Sequence, residues 1–260
     1  MIDRVALGFV LAACISLAAL RGRALTPGGA GVATVVGTLA AAAGWSWAAL
    51  LILYFASSTV LSRAGRERKE RLTASIVAKT GGRDAVQVLA NGALFAGAAA
   101  TALAHPDVRW IALGAGSLAA SAADTWATEV GTLAEAEPRS ILTWRRVHTG
   151  TSGAVSVPGT LAMVAGALFV AAITVALGWT VEVAACIAAG GVAGAVFDSV
   201  LGATAQARRW CEQCAAETER LTHDCGAPTR RARGVAWMDN DVVNFLSNTA
   251  GGLLAALLLR

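Results

Sequence analysis

Three acids stand where an apolar chain should not carry them. Asp124, Asp198 and Asp241 lie inside or at the edge of long hydrophobic stretches, where an ionised group is costly and usually functional. Ser117, Ser121, Asp124 and Thr128 follow at i, i+4, i+7 and i+11, along one helix face, and Glu129 comes next. Gly191, Gly194, Asp198 and Gly202 share a second face, a seam where another backbone can approach closely. Asp241, Asn244 and Asn248 share a third; Arg83, Gln87 and Asn91 share a fourth at i, i+4 and i+8. Carboxylates brought to one depth repel unless a cation or a proton joins them. Oxygen-rich clusters suit Mg²⁺, which keeps waters and accepts substrate phosphates as further ligands. Any single Ser, Asn or Gln can equally be hydrogen-bonding glue between helices, with Asp239 capping the last one. A proton or Na⁺ pathway is the rival reading of the acids. It wants partners on the outer side, where only Asp3, Asp107 and Glu182 occur.

Two further segments carry chemistry. Arg145-Arg146-Val147-His148-Thr149-Gly150-Thr151-Ser152-Gly153-Ala154-Val155-Ser156 leads into a helix start. Backbone N–H groups, hydroxyls and the helix dipole there outline an anion site, and His148 reads as a loop histidine. Cys211, Cys214, His223 and Cys225 form C-x₂-C-x₈-H-x-C, four zinc ligands in one short loop. Four protein ligands close the coordination sphere, so Zn²⁺ here is expected to be structural. Cys14 and Cys186 read as small apolar fillers.

The elements that position these groups are membrane helices. The chain has 260 residues, 56% hydrophobic and only 15% charged, well below the roughly 25% charged of soluble domains. That excludes a disordered chain and disfavours a water-soluble fold; five Cys exclude a disulfide-stapled scaffold. The expected fold is all-α, a polytopic transmembrane helix bundle forming a single integral membrane domain over 1–260. Eight segments are long enough: about 4–20, 27–44, 45–62, 84–104, 109–126, 153–177, 179–205 and 240–259. The second, opening TPGGAGVATVVG, has the look of a re-entrant or broken helix. Eighteen of the 21 Lys and Arg then fall in 21–26, 63–83, 127–152 and 206–239, all on one side. Positive-inside bias makes that side cytoplasmic and puts both termini outside the cell's inner membrane. The first apolar run continues past Cys14 to Leu20, so it reads as a retained span and not a signal peptide. The basic run RAGRERKERL (63–72) reads as a solvated face beside anionic membrane lipid, not as a nucleic-acid site.

Six ordered motifs give a resemblance: GGRDAVQVLANG (81–92), DTWATEVG (124–131), GTSGAVSVPGT (150–160), DSVLGATAQ (198–206), the Cys/His loop within 206–239, and NDVVNFLSN (240–248). Together they resemble the integral membrane family of unknown function ninety-two, which contains phytyl-phosphate kinase and transmembrane protein nineteen. The likeness runs from about residue 25 to the end. Where the family loop reads G-T-N-G-G-V-S, this chain has Ser152 and Ala154. The resemblance implies phosphoryl transfer from a nucleoside triphosphate, CTP or another, to an isoprenyl monophosphate.

The residues fit that reaction. A phosphate monoester is largely ionised at pH 7, so the acceptor needs no general base and no His or Lys among the carboxylates. On this reading Asp124, Asp198 and Asp241 bind Mg²⁺, with Glu129 and Asn244 in support. Gly150, Thr151, Ser152, Gly153 and Ser156 cradle phosphate beside Gln87 and Asn91, while Arg83 and Arg146 offset its charge. Two alternatives stay open: a cytidylyl or CDP-alcohol-type transferase with the same apparatus, and an ion-coupled transporter or lipid carrier.

Overall fold

The computed structural model describes residues 2–79, 81–134 and 136–259. Among them are nine helices: α1 (Ile2–Arg21), α2 (Pro27–Ala43), α3 (Trp45–Arg63), α4 (Arg66–Thr73), α5 (Ala85–Ala104), α6 (Val108–Leu133), α7 (Val157–Ala176), α8 (Val181–Thr204) and α9 (Asn240–Leu258). All except α4 correspond to the eight apolar segments. Short polar side chains fix their starts. Thr26, Asp107, Ser156, Thr180 and Asp239 each accept a backbone N–H at an N-terminus. Asp84 and Gln87 form a reciprocal capping box at α5.

The segment expected to be broken is not. α2 is one continuous helix of 17 residues, with Pro27 in its first turn where a missing N–H costs nothing. Two boundaries also differ from expectation. α6 runs on to Leu133, so Thr128 and Glu129 are helical. α7 begins only at Val157, because Ser156 caps it and Gly153 is left-handed at φ 76°.

Six helices are long and apolar enough to cross a membrane: α1, α3, α5, α7, α8 and α9. α2 is shorter, and α6 is not among the six despite its 26 residues. Position explains α6. It packs against α3, α5, α7, α8 and α9, and a run from Ala115 to Ala123 is buried without interruption. A helix sheathed by other helices meets little lipid, so Ser and Asp are tolerated along it.

The four basic loops do gather on one face. Leu25 pairs with Arg83 as a β-bridge, Arg63 donates to the Gly22 carbonyl at 2.7 Å, and Glu219 N–H donates to Ile76 at 2.8 Å. Two small sheets sit there. β1 (Arg139–Ser140) pairs antiparallel with β2 (Ala154–Val155). β3 (Arg208–Cys211) lies between β4 (Ala216–Thr218) and β5 (Arg230–Arg233), both antiparallel to it.

α6, α8 and α9 touch through small residues. A Cβ on Gly194 would lie 2.6 Å from the Ala120 Cβ and 2.8 Å from the Ser247 carbonyl oxygen. Gly194→Val is therefore expected to cost about 1–3 kcal/mol by overpacking, read as a lower unfolding temperature in detergent. Gly31 of α2 has nothing within 4 Å of its built Cβ, so Gly31→Ala should match or slightly exceed the parent.

Candidate active site and metal centre

A cleft of about 1190 Å³ opens where the loops gather. Asp124, Glu129, Asp198, Asp241, Asn244, Arg83, Gln87 and Asn91 all line it, with residues 149–156 along one wall. Arg146 does not. It is exposed and pairs with Glu137 at 2.7 Å, because its neighbourhood is turned outward by the Arg139–Arg146 bridge. Among the residues expected at phosphate, Arg146 is thus the one the structure places off the cleft wall.

The acids are met in different ways. Asp241 is buried, 4% exposed, and pairs with Lys79, which also reaches Asp84 at 2.8 Å. Burial opposes the Lys79 charge, but its bonds to Asp241 and Asp84 outweigh that and raise it above the ordinary lysine range. Asp198 accepts from Ser247 at 2.8 Å. Glu129 accepts from Lys69 and from Ser62, the latter at 2.6 Å. Lys69 also donates to the carbonyls of Leu61 and Ser62. Asp124 has no hydrogen bond or ion pair among the described residues, and it faces the charges of Asp198 and Glu129. A bare carboxylate beside two others is the donor set a hard divalent cation wants.

Two lysines stand among the carboxylates, Lys69 and Lys79, as ion-pair partners that the sequence reading had not picked out. The basic run is also not a purely solvated face, since α4 folds over the cleft and its Lys69 is only 8% exposed. Nothing in the spacing of RERKERLT marks which cation turns inward. Lys79 had a local signal, five residues ahead of the capping Asp84.

Several residues expected at phosphate are committed to structure. The Tyr54 hydroxyl meets Ser121 at 2.6 Å, Ser121 donates to Asn91 Oδ1 at 2.6 Å, and Asn248 donates to the same oxygen at 3.1 Å. That chain ties α3, α6, α5 and α9. Gln87 accepts from the Asp84 N–H, and Ser156 accepts from the Gly159 N–H. Gly153 is a glycine for packing as well as conformation: a Cβ there would lie 2.5–2.6 Å from Ala203 and Ser199 of α8. Ser152 donates to Glu219 at 2.5 Å, its carbonyl accepts from Arg208, and Gln206 donates to Glu219 at 2.7 Å. Burial raises the Glu219 carboxyl above the usual range against the pull of Ser152.

The Cys/His set converges. One ligand atom from each of Cys211, Cys214, His223 and Cys225 lies within 4.8 Å of all the others. Cys211 and His223 are buried, and His223 Nε2 has no hydrogen-bond partner. The Ala227 N–H, then His223, holds the Cys225 thiol down to about 6. Thiols and an unpartnered imidazole nitrogen fit a soft tetrahedral ion such as zinc. The group is consistent with a zinc-knuckle-like loop, with Cys211 on β3 and the other three ligands in the connections between β3, β4 and β5.

The comparisons agree with this architecture. The family described as integral membrane protein DUF92 matches residues 10–252. The chain belongs to that family. Its relatives include Protein PGR of Arabidopsis thaliana, 27% identical over 94% of this chain and 92% of that protein. An uncharacterized membrane protein of Synechocystis is 31% identical over 89% of this chain and 81% of its own length. One from Methanocaldococcus jannaschii is 35% identical over 62% of this chain and 65% of its own. No solved structure matches the chain.

Purified protein should carry about one zinc per chain by elemental analysis, the stoichiometry of a closed four-ligand site. Cys214→Ser should lose that zinc and unfold at lower temperature. Retained zinc would remove Cys214 from the ligand set.

Proposed function

We propose that this DUF92 protein is an isoprenyl-phosphate kinase. It moves the terminal phosphoryl group of a nucleoside triphosphate to a prenyl monophosphate, releasing the nucleoside diphosphate and leaving a prenyl diphosphate. The observation that carries the reading is the meeting in one cleft of the unpaired Asp124, with Asp198 and Asp241, and a glycine-bearing loop. The cleft belongs to one face of a bundle with six candidate spans, as expected for a lipid phosphate and a water-soluble nucleotide.

An oxygen of the acceptor phosphate attacks the terminal phosphorus as the bond to the leaving diphosphate breaks. No side chain has to take a proton, so the protein's work is positioning and charge neutralisation. Asp124, Asp198 and Asp241 would hold Mg²⁺, which supplies a positive template for the crowded phosphate oxygens. Lys79 and Arg83 add fixed cations at the same wall. Backbone N–H groups of Gly150, Ser152 and Gly153 suit the phosphates, that of Thr151 being bound to the His148 carbonyl at 3.1 Å. Asn244 supports from α9, and Glu129, already bound to Lys69, shapes the rim. The basic face is cytoplasmic on this reading, with both termini outside and the nucleotide arriving from the cytoplasm.

The test is purified protein with Mg²⁺, labelled nucleoside triphosphates and geranylgeranyl or phytyl phosphate. Prenyl diphosphate with stoichiometric nucleoside diphosphate is expected. Asp124→Asn should lower turnover by about 10²-fold or more, the scale of a lost charge-stabilising group, with an unchanged unfolding profile. Pyrophosphate release with a nucleotide-bearing lipid would make the protein a transferase of the CDP-alcohol type. Vesicle uptake without diphosphate formation would make it a transporter.

A further inference from the structure

A second cavity lies beside the cleft and is of the opposite character. It measures about 360 Å³ and is bounded by α1, α2, α3 and α5, with Leu11, Ile15, Val36, Ile52 and Phe55 among its walls. Arg83, Gln87 and Asn91 line both cavities. The apolar groove therefore ends at the polar wall of the cleft. Arg83 makes the junction: its guanidinium lies 5.6 Å from the Phe55 ring centroid and reaches Thr59 at 3.3 Å.

We propose that this groove holds the isoprenoid tail of a lipid monophosphate whose headgroup occupies the cleft. The phosphate part of that statement rests on the kinase reading; the groove itself argues for one hydrocarbon chain attached to an anion. From Trp45 at its far end to Phe55 the groove follows eleven residues of α3, about 15 Å of helix. That is roughly half the hydrocarbon thickness of a bilayer, so the chain lies along the membrane normal with its head at the basic face. A single groove takes a single chain, which separates a prenyl phosphate from a diacyl phospholipid. Gly8 and Gly37 in this wall let α1 and α2 close on one another, since a Cβ at either would meet Ala41 at 2.5 Å or Ala12 at 2.9 Å. Access is lateral. α1 packs chiefly on α2 and most of its surface is exposed, so lipid reaches the groove along its edge.

The experiment uses the purified full-length protein and a geranylgeranyl monophosphate carrying a diazirine at its far end. Cross-linked peptides are mapped by mass spectrometry, and competitors are added at graded concentrations. Labels are expected on α1 and α3 near Gly8, Leu11 and Trp45. Geranylgeranyl phosphate should displace the probe at least about tenfold more effectively than isopentenyl phosphate, since chain burial supplies the difference. Phosphatidylglycerol should not displace it. Ala49→Phe, filling the groove from α3, should cut labelling about tenfold, the worth of roughly two buried methylenes. Labels elsewhere on the bundle, displacement independent of chain length, or equal displacement by phosphatidylglycerol would overturn the proposal, and the competitor series decides even if Ala49→Phe does not fold. The two readings fail separately. A labelled groove with no diphosphate formed removes the kinase and keeps the tail site; diphosphate formed with labels outside the groove does the reverse.

Discussion

A carboxylate carried into a helical bundle must be met by a cation, a donor or water, and that requirement organises the polar face of this protein. Removal from water costs an ion several kcal/mol or more, so the acids of the cluster are accompanied, with one exception. Asp241 has Lys79, Glu129 has Lys69, and Asp198 has the Ser247 hydroxyl. Asp124 has none of these among the described residues. The departure from the pattern falls at the point best placed to receive an ion from outside. The two lysines come from the stretch between α3 and α5, so that stretch has to fold back over the membrane face. α4 and the loop after it are shaped by the charges beneath them.

Such a face needs helices held at fixed spacing. The chain from Tyr54 through Ser121 and Asn91 to Asn248 joins four helices with bonds of 2.6–3.1 Å, well inside the bundle and just below the cleft. Around it, α6, α8 and α9 meet through glycine and alanine, where even one added methyl must displace backbone. Close contact over small residues replaces the hydrophobic drive that helices lack in lipid. It also brings Asp124, Asp198 and Asp241 to one level, because three helices at close approach put their matching turns side by side.

Much of this was legible in the sequence because length and polarity report directly on membrane helices. The eight segments, the one-sided loops, the Cys/His ligands and the acids follow from counting and spacing. What was not legible depends on partners distant in the chain. Spacing puts Asn91 and Gln87 on the cleft face, but it cannot tell a residue bound to phosphate from one bound to Ser121 or capping a helix. The position of Arg146 off the cleft wall has the same origin: a basic residue beside a glycine loop faces inward or outward according to a strand register that the sequence does not display. Lys69 shows the converse. Its burial depends on Glu129, sixty residues away.

The Cys/His module is the remaining element without a direct part in the chemistry, and its connections show what it contributes. It sits between α8 and α9, which carry Asp198 and Asp241, and its residues hold the glycine loop. Arg208 bonds the Ser152 carbonyl, while Glu219 receives the Ser152 hydroxyl and also lines the cleft. A loop of glycines has high conformational entropy, and backbone donors bind an anion well only if they are already aimed. An ion closing four ligands in the 206–239 loop would fix β3 and β4, hence Arg208 and Glu219, hence Ser152. The Ser152 hydroxyl finds its partner, Glu219, in that same module. The Cys/His ligands and the 149–156 loop are therefore joined through Arg208, Glu219 and Ser152, and an ion bound at the first would stiffen the second.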